Sequence, residues 1–187
     1  MSKSKGNVLY ADDLAARFSV DAVRHYCLAE MPYASDGSIT PSSIIARYNT
    51  DLANNLGNLV SRSHAMTVKY FGGKIPARGE ETETDAALRV FCEETKTRVW
   101  EALDSYHIAD AVDALFALFG RANKYIDETM PWALAKDESK AERLGTVMYY
   151  LLEAIRYGAA LLTPFLPTTA DKIRAQLGGA DDSTEFF

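Results

Sequence analysis

The stretch TPSSIIARYNTDLANNLGNLVSRSHAMTVKYFGG, residues 40–73, decides the fold class. Thr40 offers a hydroxyl cap, and Pro41 suits the first helical position, where a missing N–H costs nothing. Ile44/Ile45, Tyr48, Leu52, Leu56 and Leu59 follow at steps of three and four, the stripe of an amphipathic helix. Gly72-Gly73 supplies the left-handed stop. One long helix from Pro41 to about Phe71 is therefore expected.

The same punctuation repeats on both sides. Ala11–Phe18 and Val20–Glu30 read as two short amphipathic pieces, the first led by Asp12 and Asp13, which suit a helix amino end. MPYASDGSIT separates them from the long helix with turn formers Pro32, Asp36-Gly37 and Ser38. Beyond GGKIPARGEETE a helix is expected over 84–104. Ser105 is expected to open the next, running to about Thr129; its apolar middle marks it as the central, most buried helix. Pro131 breaks the chain at MPW, and further helices are expected over 139–162 and 168–176. No segment alternates with period two over strand length. The expected architecture is all-α: a helical bundle over 39–187 preceded by a small mixed piece over 1–38.

Composition narrows the function. The 187 residues carry a net charge of −6, with 48% hydrophobic and 25% charged residues, as in an ordinary globular chain. No apolar run reaches membrane-span length and the start has no signal-peptide core, so no membrane partner is expected. Cys27 and Cys92 stand far apart, which fits a reducing, cytoplasmic setting. The acidic total disfavours nucleic acid, but charge is uneven. Residues 43–78 hold five bases and one acid, Asp51, whereas 79–104 hold eight acids and three bases.

No self-contained active site is visible. His25, His64 and His107 are isolated, with no carboxylate or cysteine at metal-ligand spacing, so no metal site is expected. Nucleophile elbow, P-loop and dinucleotide fingerprints are absent. A bundle without an active site usually binds something, and two places suggest what. Asn58 and Arg62 stand four residues apart on one helix face, about a quarter turn from the leucine stripe, and Lys69 comes round to the same side. An amide beside a guanidinium is suited to base edges; a solvated helix flank is the plainer alternative. Trp132 follows a helix-breaking Pro131, where an indole can stand free to stack an unpaired base or, alternatively, cap the core.

These residues carry a resemblance. MSKSKGNV resembles the K-M-S-K-S-x-G-N signature loop of class I aminoacyl-tRNA synthetases, with its first lysine missing. VDAVRHYCLAEMPYASDGSIT, RYNTDLANNLGNLVSR and NKYIDETMPWALAK resemble the stem-contact and anticodon-reading segments of the methionyl-tRNA synthetase family. The match runs over nearly the whole chain and in the family's order. GNLVSR with MPW sets it apart from the valine, isoleucine, leucine and cysteine enzymes, which share the loop.

The resemblance implies that Trp132 stacks on the first anticodon base, a cytosine, held by Pro131, while Asn58 and Arg62 bond exposed anticodon edges; Lys69, on the same helix side, is expected to support them with a phosphate contact. It implies tRNA(Met) as partner, with methionine and ATP (with Mg) as substrates of the complete enzyme. Lys3 would steady the departing pyrophosphate there. The nucleotide-binding domain of the family lies upstream of the signature loop, so this chain alone is expected to form no adenylate. A helical protein–protein interaction module is the alternative from a different class.

Overall fold

A computed structural model describes residues 8–31 and 35–179, all helix, turn or loop, with no strand among them. Lys3 and the signature loop lie outside these residues. Helices α1 (Ala11–Phe18) and α2 (Val20–Glu30) begin where the acidic residues Asp12, Asp13 and Asp21 stand in their first turns. Thr40 caps α3 (Pro41–Arg47) through a reciprocal pair with Ser43. The chain then continues through a π-helical segment, Tyr48–Gly57, into α4 (Asn58–Phe71), and Gly72 ends it at φ 61°.

The long helix is thus continuous but not uniform, which corrects the expected stripe. Ile44, Leu56 and Leu59 are buried, whereas Ile45 and Tyr48 are exposed. A π turn closes with i→i+5 hydrogen bonds, so it changes which residues share a face.

Helix α5 (Glu83–Asp104) pairs with α6 (Ile108–Thr129). Ser105 does not open α6. The turn between the two helices instead places Tyr106 at φ 61°, and His107 precedes α6 without a side-chain cap. Next come the short α7 (Pro131–Leu134), a 3₁₀ turn (Glu138–Lys140), α8 (Ala141–Leu162) and α9 (Pro167–Gln176). The most buried helix is α8, not α6: 18 of its 22 residues are buried, against nine of 22 in α6. Two of the buried residues are Glu153 and Arg156, which satisfy each other through Nε–Oε2 at 2.8 Å and Nη2–Oε1 at 2.5 Å. Helices α6 and α8 approach closely at Gly158, where an added Cβ would lie 2.5 Å from the Phe119 ring.

Helix α2 is tied into this bundle by polar contacts at both of its neighbours. Arg24 donates to the carbonyls of Phe165 (2.9 Å) and Pro164 (3.0 Å) in the α8–α9 corner. Asp21 accepts from the Thr169 backbone N–H (2.6 Å) and hydroxyl (2.7 Å) in the first turn of α9. His25 Nε2 stands 2.8 Å from Asp51 Oδ2 in the π segment.

Candidate nucleic-acid interface

Asn58 is the first residue of α4 and is exposed, and Arg62 follows one turn later with 35% of its side chain accessible. Between and behind them Leu59, Val60 and Ser63 are buried, so the pair flanks the packed face without entering it. Lys69 is exposed, with Nζ 5.3 Å from the Tyr70 ring centroid. Seven residues after Arg62 is nearly two whole α turns, which keeps Lys69 on the same side.

The second half of the surface is built by a sharp corner. Helix α6 ends at Met130, which adopts the left-handed conformation (φ 45°, ψ 63°), costly for a residue with a side chain. Pro131 is buried at the first position of α7, and Trp132, at the second, is 41% exposed. The proline cannot continue α6. The corner therefore anchors the backbone and leaves the indole at the surface instead of capping the core.

The two halves meet through a residue that sequence reasoning missed. Arg62 Nη2 stands 3.4 Å from Asp127 Oδ1, and Asp127 lies in the last turn of α6, five residues before Trp132. An acid one turn before a tryptophan corner was the available signal, but nothing local revealed which helix it would face. Glu128 beside it is held by Arg121 Nη1 at 3.0 Å and by Lys124 Nζ at 3.6 Å. Helix α4 thus offers an amide, a guanidinium and a lysine, with a carboxylate from the end of α6 resting on the guanidinium, and the corner that follows offers an accessible indole. Edge-bonding donors beside a stacking platform suit unpaired bases.

Two other bases of the segment 43–78, Arg47 and Arg78, are committed elsewhere. Arg47 forms an ion pair with Asp51 (2.6 Å) and bonds Asp113 (2.7 Å), and Arg78 lies 3.5 Å from Glu81. A cavity of about 530 Å³ lies on the neighbouring side of the long helix. It is walled by Leu52, Leu56, Val60 and Ile173, and it includes none of Asn58, Arg62 or Trp132. Among the described residues no group of three His, Cys, Asp or Glu side chains is placed to hold a metal, and no helix is long and apolar enough to cross a membrane.

Comparison with known proteins covers the whole of this geometry. The family model "Anticodon binding domain of methionyl tRNA ligase" matches residues 75–185, and "tRNA synthetases class I (M)" matches 1–64. The methionine–tRNA ligase of Clostridium perfringens is 50% identical over 95% of the chain and 27% of its own length. That of Bacillus subtilis is 47% identical over 98% of the chain and 28% of its own length. The chain spans less than a third of the curated relatives it matches. A structure of Mycobacterium tuberculosis methionyl-tRNA synthetase in complex with methionyl-adenylate superposes with a TM-score of 0.92 at 39% identity, covering 100% of this chain and 37% of that one.

Proposed function

The chain belongs to the methionyl-tRNA synthetase family, and from that premise we propose that it reads the anticodon of tRNA(Met) on the face formed by Asn58, Arg62 and Trp132. The observation that carries this reading is the contact of α4 with the end of α6 through Arg62 and Asp127, five residues before an indole that is 41% exposed. Trp132 stacks the first anticodon base; Pro131 holds the corner; Asn58 and Arg62 bond base edges. Lys69 meets the phosphate backbone, a contact that positions without specifying.

The reaction served is the ATP-dependent ligation of methionine to its tRNA, with Mg accompanying the nucleotide. Lys3 in the signature loop steadies charge on the departing pyrophosphate, a task that needs the rest of the nucleotide site around it. Cytoplasmic residence follows from that role. A helical protein–protein module has no comparable support: it gives no role to an exposed amide and a guanidinium one turn apart on α4, or to an exposed indole after the α6 corner.

Binding of an isolated methionine anticodon stem-loop tests the reading, with single-base changes in the anticodon as competitors. Arg62→Ala should weaken the cognate RNA and reduce discrimination at the base that Arg62 contacts. Arg62→Lys should not restore it, because an ammonium lacks the planar fork. Lys69→Ala should weaken all the RNAs alike. Equal affinity for every anticodon in the unaltered chain would refute the proposal.

A further inference from the structure

Arg62 stands eighteen residues after Ile44, which is about five whole turns of an α-helix at 3.6 residues per turn. An unbroken α-helix over 41–71 would bring Arg62 onto the line of Ile44, a residue only 2% exposed. Asn58 would lie about 40° from that line. With Ile44 kept in the packing, both polar side chains would then be carried toward the packed side, not to the flank that the leucine stripe alone implies. Instead the buried positions in α4 are Leu59, Val60, Ser63 and Thr67, with Ser63 at 1%. The buried line has moved on from Arg62 to Ser63, by one residue. Between Ile44 and Arg62 lies the π segment Tyr48–Gly57, and a turn closed i→i+5 takes in one residue more than an α turn.

We infer that the π segment is the positioning element that turns Asn58 and Arg62 out of the helix packing and onto the RNA face, with Gly57 and the Asn55–Asn123 pair as the residues that hold it. The inference rests on the reading of that face as an RNA surface. None of the holding residues is assigned a contact with RNA; they act through Asn58 and Arg62.

Two features keep the segment in its register. Asn123 Nδ2 on α6 donates to both the backbone carbonyl and the Oδ1 of Asn55, each at 3.1 Å, and Asn55 Nδ2 donates to the Phe116 carbonyl at 3.0 Å. Helix α6 also carries Asp127 and leads into the Trp132 corner, so this rivet sets the rotation of α4 against the indole. Gly57 is the second feature: a Cβ there would lie 2.8 Å from the carbonyl oxygen of Leu52, five residues back. Any side chain at this position pushes the π turn open.

The test compares the full chain with Gly57→Ala, and with Gly57→Ala combined with deletion of Ala53, an exposed residue of the segment. Removing one residue lets a plain α-helix deliver Arg62 at the same angle. Gly57→Ala should weaken the methionine anticodon stem-loop about tenfold, as expected when a bidentate base contact is mispointed, and should lower discrimination against a first-base change. The double variant should recover most of both. Unchanged affinity and discrimination in Gly57→Ala overturns the inference, as does a folded double variant that binds no better than the single. If Gly57→Ala does not melt cooperatively, the double variant decides alone: folded and binding supports the inference, while folded without binding, or no more stable than the single, overturns it. Trp132→Ala and Arg62→Ala are measured alongside. If neither weakens binding, the RNA reading itself has failed; if they do and Gly57→Ala does not, only the positioning role has.

Discussion

Arg62 on α4 and Asp127 on α6 form an open contact, Nη2 to Oδ1 at 3.4 Å, with 35% and 68% of their side chains accessible. A pair this exposed contributes under about 1 kcal/mol to stability. Its consequence is electrostatic: a carboxylate rests on the guanidinium proposed to read a base, on a face that phosphates must approach. Asp127→Asn should leave the melting temperature nearly unchanged and raise affinity for stem-loop RNA severalfold. The gain should be larger at 0.01 M salt, where charges are screened only beyond about 30 Å, than at 0.1 M, where they are screened beyond about 10 Å. An unaltered affinity at both salt concentrations would remove Asp127 from the interface.

Trp132→Ala separates stacking from packing. The indole is 41% exposed while the neighbouring Pro131 is buried. Affinity for the cognate stem-loop should fall by about 1–3 kcal/mol, the loss of one stacked base, with little change in melting temperature. A sharp drop in melting temperature with intact affinity would make the ring a core element.

Local chemistry made the helix ends legible. Thr40-Pro41, Gly72-Gly73 and Pro131 act through caps and missing donors that need no tertiary partner, and the helices begin and end at them. Asn58 and Arg62 were likewise visible as a pair at helical spacing, and Trp132 by the proline before it. The π segment was not, because its register depends on Asn123 arriving from α6 and on a Gly57 that resembles any mid-helix glycine. Burial of α8 was obscured by Glu153 and Arg156, which look like a solvated face until their mutual pairing is seen. Asp127 was missed for the same reason: which helix faces it is a tertiary fact.

Asp85 joins three helices. Its carboxylate is fully buried and accepts from Thr82 N (2.8 Å) and Oγ1 (2.9 Å), from Arg143 Nη1 (2.5 Å) and Nη2 (2.9 Å), and from the Tyr125 hydroxyl. Burial alone would raise its pKa, but the bonds from Arg143, Tyr125 and Thr82 outweigh burial and hold it below the ordinary 3.8. The stabilisation is therefore complete above that value and is lost as pH falls through the lower folded pKa. Asp85→Asn should cost about 3 kcal/mol, at the low end for a broken buried pair, because Arg143 keeps 28% of its side chain in solvent. Denaturant melts at neutral pH and near pH 3 should show that loss shrinking with acid.

His25 titrates in the opposite part of the range. Its ring is 1% exposed, 4.5 Å between centroids from Phe116, with Nε2 2.8 Å from Asp51. Burial lowers its pKa below 6.5; the Asp51 hydrogen bond and charge oppose that only in part, and Arg47 adds to the lowering. The folded chain thus holds His25 neutral, as a donor to Asp51, at pH values where the unfolded chain already takes up a proton. Its contribution is full above about pH 6.5 and is lost as pH falls through the folded pKa. His25→Phe should lower stability at pH 7.5 by about 1.5–3 kcal/mol, the loss of a hydrogen bond to a charged group, and should flatten the decline in melting temperature between pH 7 and 5. A decline as steep in His25→Phe as in the unaltered chain would place that titration on another group.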